Sequence, residues 1–213
     1  MRAPLKKTAL AAVAIGILAL VCAPPASANS ITFDLTSNNL GLSGSVGTVV
    51  IMDSGMNQVT VTITMNSGFS LKLPGGDVAF NGISGLTAGS ASGIAATVGM
   101  IGFTGLSFQQ FFAGKNISQF GTFAFDYANL KGGPNGVVSA DSLTFTLSAP
   151  GLIANQFSGV AIHFCTASGG GCGPKTGFAS NGPLVPVPEP GTLTLFGTGL
   201  FGFACLARRR IRR

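Results

Sequence analysis

The chain is expected to fold as an all-β domain, an antiparallel β-sandwich or jelly roll, flanked by a cleaved N-terminal signal peptide and a short C-terminal transmembrane helix. Three observations carry the fold class. Apolar residues recur with period 2 through most of the middle of the chain, the mark of strands with one buried face. Clusters of Gly, Pro and Asn break that alternation at short intervals, as turns between strands do. Only residues 106–112 hint at helical spacing, with Phe108, Phe111 and Phe112 at i, i+3 and i+4.

The elements follow in order. Ile31, Phe33 and Leu35 open the domain, and residues 46–52 read as a further strand with Val49 and Ile51 on its second face. Val59, Val61, Ile63 and Met65 alternate with Thr60, Thr62 and Thr64. Phe123, Phe125 and Tyr127 repeat the pattern, as do Leu143, Phe145 and Leu147, and then Val160, Ile162 and Phe164. Asn38-Asn39, Pro74-Gly75-Gly76, Gly132-Gly133-Pro134-Asn135-Gly136 and Pro150-Gly151 supply the turns. Residues 82–105 are small and weakly patterned, and read as a long loop or poor strands. Gly makes up 32 of 213 residues, about twice the usual share, but no Gly-x-y period accompanies it and collagen is excluded. The absence of a repeat of 20 to 50 residues excludes solenoids and propellers.

Charge is scarce and unevenly placed. Only 8% of residues are charged, against about 25% in ordinary soluble domains. The formal net charge of +6 resides at the two ends. Between them, Lys72, Lys115, Lys131 and Lys175 face Asp34, Asp53, Asp77, Asp126 and Asp141, four lysines against five aspartates and a net of −1. Nucleic-acid binding needs basic side chains clustered along a binding surface, so the basic ends are read as addresses and no nucleic-acid partner is expected.

The N-terminal end has three zones: a positive start with Arg2, Lys6 and Lys7, an apolar run over residues 8–22, and the small residues Ala26-Ser27-Ala28. This is the pattern signal peptidase cuts. The signal peptide is therefore residues 1–28, cleavage uses Ala26 and Ala28, and Asn29 is the expected mature N-terminus. At the other end, Val187-Pro188-Glu189-Pro190-Gly191 precedes an apolar run and the cluster Arg208, Arg209, Arg210, Arg212 and Arg213. Residues 191–207 would make about 25 Å of helix, the lower limit for a membrane span. The Arg cluster is a basic stop that stays cytoplasmic under the positive-inside rule, leaving residues 29–186 outside.

This tripartite tail resembles the PEP-CTERM sorting signal of Gram-negative, exopolysaccharide-producing bacteria, with Pro188, Glu189 and Pro190 matching the motif that names it. The resemblance covers residues 187–213 and implies nothing about the fold before them. It implies recognition and cleavage by exosortase, a membrane transpeptidase, and passage from an inner-membrane-anchored precursor to the cell surface or matrix.

The domain at residues 29–186 offers little chemistry. Cys165 and Cys172 enclose a short Gly-rich loop and are expected to form a disulfide in an oxidising compartment. A metal site built from His163 and both cysteines falls short of the tetrahedral ligand count, and no cofactor is expected. Residues 169–176 come close to a phosphate-binding loop, but Pro174 stands where the second Gly belongs and offers no N–H. No G-x-S-x-G elbow selects a serine for His163, and no D-x-D-x-D-G loop points to calcium. A glycosidase pair would have to come from Asp34, Asp53, Asp77, Asp126 and Asp141. The expected function is that of an exported, non-enzymatic surface or matrix protein associated with exopolysaccharide or with itself. The alternative is a carbohydrate-binding or hydrolytic module on a sandwich scaffold.

Overall fold

The computed structural model describes residues 28–73, 75–131, 139–168 and 171–183. Among them the chain forms two antiparallel sheets packed face to face, with two single 3₁₀ turns at Ala88–Ser90 and Ala154–Gln156. The smaller sheet has the order β1 (Ser30–Asp34), β3 (Gly47–Gly55), β4 (Gln58–Met65), β12 (Ser142–Ser148), β7 (Ala91–Val98) and β8 (Ile101–Thr104). In the larger sheet, β13 (Gly159–Ser168) bonds β14 (Gly171–Ser180) along one edge. Its other edge is shared by β5 (Phe69–Lys72) and β6 (Gly76–Asn81). Next come β11 (Ser139–Ala140) on β5, β10 (Gly121–Lys131) on β6, and β9 (Ser107–Ile117) on β10, while β2 (Ser37–Asn38) pairs β14.

The core lies between the sheets and is built from the residues that the alternation selects. Val59, Val61 and Ile63 of β4 and Leu143, Phe145 and Leu147 of β12 are buried, each 1% exposed or less. Facing them from the larger sheet are Val160, Ile162 and Phe164, with Phe80 and Tyr127 beside them. Phe80 is the hub of the aromatic packing. Its ring lies 5.4 Å from Phe157, 6.3 Å from Phe145 and 6.5 Å from Tyr127. Such tilted and edge-on pairs add about 1 kcal/mol each beyond their buried area.

One sequence expectation is corrected and one open reading is resolved. Residues 106–112 enter β9 and are not helical. Phe108 and Phe111 both pack on Tyr127, at 5.5 and 5.0 Å, although residues three apart on a regular strand face opposite ways. The β9–β10 register omits Gln109 opposite Asn129, where Asn129 takes φ 56°, and the break turns both rings inward. For residues 82–105 the strand alternative holds, since they contain β7 and β8; Ile94 and Ala96 bury one side of β7 in the inter-sheet core, and β12 pairs along its edge, so small residues make a usable strand there.

The register also omits Gly114 opposite Ala124. Gly114 stands at φ 68°, a left-handed conformation natural to glycine, and Ala124 N–H is instead held by the Asn81 side chain at 2.7 Å. Beyond this second break the faces of the hairpin reverse again. Phe125 and Tyr127 look inward, whereas Phe123 joins Ile117, Phe120, Ala79 and Ala161 in a separate apolar cluster on the outer face of the larger sheet. The larger sheet is thus covered on its outer side where its own hairpin end lies over it. Replacing Phe80 with Ala should destabilise the domain by about 3–5 kcal/mol, checked by urea unfolding of the Phe80→Ala chain against the native one.

Candidate functional site

The outer face of the larger sheet gathers Lys72, Asp77, Lys115, Asp126 and His163. Strand alternation puts them there: Leu71, Val78, Tyr127, Ile162 and Phe164 fill the inner core, and their neighbours along each strand point the other way. Lys115 arrives by a different route. It lies three residues after Phe112, yet its Nζ sits 4.5 Å from the Phe112 ring centroid. The break at Gly114 supplies the extra half-turn that puts both side chains on this face.

Lys115 Nζ is 2.7 Å from Asp126 Oδ2 and 3.4 Å from Asp77 Oδ2. Asp126 is fully buried and its side chain makes no hydrogen bond beyond that ion pair. On the sheet it stands between Ala79 of β6 and Phe112 of β9. Asp77 is better satisfied, because its Oδ1 accepts the Asn129 N–H at 3.0 Å, the donor freed by the first register break. Burial pushes the Asp126 carboxyl up from the ordinary range, with Lys115 pulling the other way. Burial lowers the Lys115 ammonium, but the two carboxylates outweigh it and its pKa rises.

His163 flanks this cluster. Its ring stacks on Phe178 with centroids 4.6 Å apart and a 19° interplanar angle. Nδ1–H donates to the Gly75 carbonyl at 3.1 Å, which leaves Nε2 as the acceptor in the neutral ring. Gly75 stands at φ 84°, at the interruption between β5 and β6 that turns this carbonyl toward the histidine. Burial lowers the His163 pKa, and Lys72 adds to the effect. Tyr127, on the inner side, is pushed up to about 12 by burial, and its hydroxyl donates to the Thr87 carbonyl at 3.0 Å.

The remaining candidates from the sequence scatter. Cys165 and Cys172 are joined by a disulfide with Cα atoms 5.4 Å apart; closing so short a loop is worth about 2–3 kcal/mol on the chain-entropy view. Residues 171–176 of the near phosphate loop run as β14, with no helix N-terminus to receive an anion. Asp53 accepts from Ala154 N–H at 2.7 Å and from Asn29 Nδ2 at 3.1 Å, and Asp141 accepts from Gly99 N–H at 2.5 Å. Both are loop anchors. Asp34 is exposed on β1. Of the five aspartates, Asp77 and Asp126 come together on Lys115, and Asp126 is fully buried there. Among the described residues no group of three or more His, Cys, Asp and Glu is placed to hold a metal ion.

Sequence reasoning treated Lys115 only as part of the charge balance. The signal was a lone Lys and a lone Asp set in neighbouring aromatic strands, where charges need partners. Ala28 and Asn29 are exposed ahead of β1, while Ala26 lies outside the described residues. So do Pro188, Glu189, Pro190 and the cluster Arg208, Arg209, Arg210, Arg212 and Arg213. Among the described residues no helix is long and apolar enough to cross a membrane.

Replacing Lys115 with Met leaves Asp126 buried without a partner, and should cost about 3 kcal/mol, read as a lowered urea midpoint. His163 gives a pH signature. Its folded pKa is depressed, so the unfolded chain binds the extra proton first, and the stability it contributes is present above the ordinary histidine pKa of about 6.5 and lost as pH falls through the folded value. Urea midpoints measured down through this range should fall more steeply for the native chain than for His163→Gln.

No curated protein and no solved structure matches the chain. Residues 186–213 match the PEP-CTERM protein-sorting motif, which marks the chain as carrying the sorting signal of an exported protein handled by exosortase.

Proposed function

We propose that this is an exported, non-catalytic protein of the cell surface or extracellular matrix. Signal peptidase releases it after Ala28, residues 187–213 hold it in the inner membrane, and exosortase processes it near Pro188-Glu189-Pro190. The observation that carries the reading is the sorting motif at residues 186–213, which follows the β domain in the sequence. The composition of that domain supports it. With four lysines against five aspartates outside the termini, two of those aspartates share Lys115, so little charge is left on the surface to repel polysaccharide or a second copy. The carbohydrate-module alternative has less behind it. The chain has no Trp and a single Tyr, Tyr127 is buried in the inter-sheet core, and among the described aromatic residues only Phe112 is exposed by more than a third, which leaves little aromatic surface for a sugar to stack on.

Changing Pro188-Glu189-Pro190 to Ala-Ala-Ala should leave export intact and block processing, so that the full-length form accumulates in the inner membrane; a processed, relocated product from the triple variant would sink the sorting reading. A glycan array with the processed protein separates the two functions: no specific binding is expected, and a specific hit would replace the structural role with a lectin-like one.

A further inference from the structure

Asp126 has the one fully buried side chain whose polar atoms lack hydrogen bonds among the described residues, and the amine of Lys115 lies against it at 2.7 Å. A nitrogen at that distance from a carboxyl oxygen is roughly 3.5 Å from the carboxyl carbon, the separation of a near-attack arrangement. A second carboxyl, Asp77, touches the same amine at 3.4 Å and is itself fixed by the Asn129 N–H. Amine, electrophile and proton carrier are therefore assembled in one place, on rigid strands, with Ala79 and Phe112 as the strand neighbours of the acid.

We propose that Lys115 and Asp126 condense spontaneously into an intramolecular amide that welds β9 to β10. The ammonium of Lys115 first passes one proton to the Asp126 carboxylate, which leaves a neutral amine beside a carboxylic acid. The amine lone pair then forms the Nζ–Cγ bond, Asp77 takes the second proton from the nitrogen of the tetrahedral adduct, and it passes that proton to the departing hydroxyl. The Cγ–O bond breaks and one water leaves. Carboxylate plus ammonium become amide plus water, with no change of oxidation state and no outside reactant. Burial favours the uncharged carboxylic acid that the attack requires, and a site that excludes water also slows the reverse hydrolysis. The neutral product relieves a buried charge that has a single partner, which an ordinary ion pair at this position does not.

The test is peptide mass mapping of the exported protein after reduction, alkylation and trypsin. Residues 73–131 should appear as a single uncut species lighter by one water, because trypsin does not cut after an acylated lysine. Separate peptides 73–115 and 116–131 of full mass would overturn the proposal, as would an uncut 73–131 that has lost nothing. An Asp126→Asn chain should lose one ammonia in place of water, and Lys115→Arg should lose neither. Asp77→Asn should lower the linked fraction at a fixed time by about tenfold or more; linkage at the native rate would remove Asp77 from the step.

Discussion

The larger sheet is organised around β13, the strand on which its two arms meet. β13 takes β14 on one side and, on the other, both halves of the interrupted strand β5–β6. Val160, Ile162 and Phe164 point from it into the core with no exposed surface, while Ala161, His163 and Cys165 line its other side. Everything on the outer face is positioned relative to these alternating rows. The gap of a few residues between β5 and β6 cannot be spanned by regular pairing. It bulges at Gly75, and from that bulge come the carbonyl that holds His163 and, two residues on, the carboxylate that reaches Lys115.

A sheet covered on both faces tolerates charge poorly, and this constraint explains how sparingly charge is used. Asp126 is fully buried between its strand neighbours Ala79 and Phe112. Its ionised form is acceptable only because the backbone break at Gly114 brings a lysine to the same side. Asp53 and Asp141 solve the equivalent problem at the edges by capping backbone N–H groups of distant loops. Each of these anchors ties segments far apart in sequence, which suits a domain whose turns are rich in glycine and would otherwise be loose.

Most strands of the sandwich were legible because period 2 is unambiguous where one face is dry. Val59, Val61 and Ile63, or Leu143, Phe145 and Leu147, announce themselves. The β9–β10 hairpin was not legible for a physical reason: two left-handed residues, Gly114 and Asn129, each reverse the alternation. Phe108 and Phe111 then mimic a helical i, i+3 pair, and Phe123 separates from Phe125 and Tyr127 although the three look like one stripe. The same two breaks hid the candidate site, since a pattern that changes face cannot say that Lys115 and Asp126 share one. The tail was readable without any fold, because motif, apolar run and arginine cluster act as a linear address.

The position of β13 in the chain also sets when folding can finish. An exported chain emerges amino end first, and the strand around which the larger sheet assembles is nearly the last part of the domain to appear, with β14 directly after it. β5 and β6, emerging much earlier, must wait for their partner across roughly 80 to 95 residues. Pairings over such separations are slow to nucleate, and a half-emerged chain exposes unpaired edges in the meantime. Completion of the sandwich thus coincides with arrival of the sorting signal at the membrane, so the enzyme that reads the tail meets a domain that has only just become able to close.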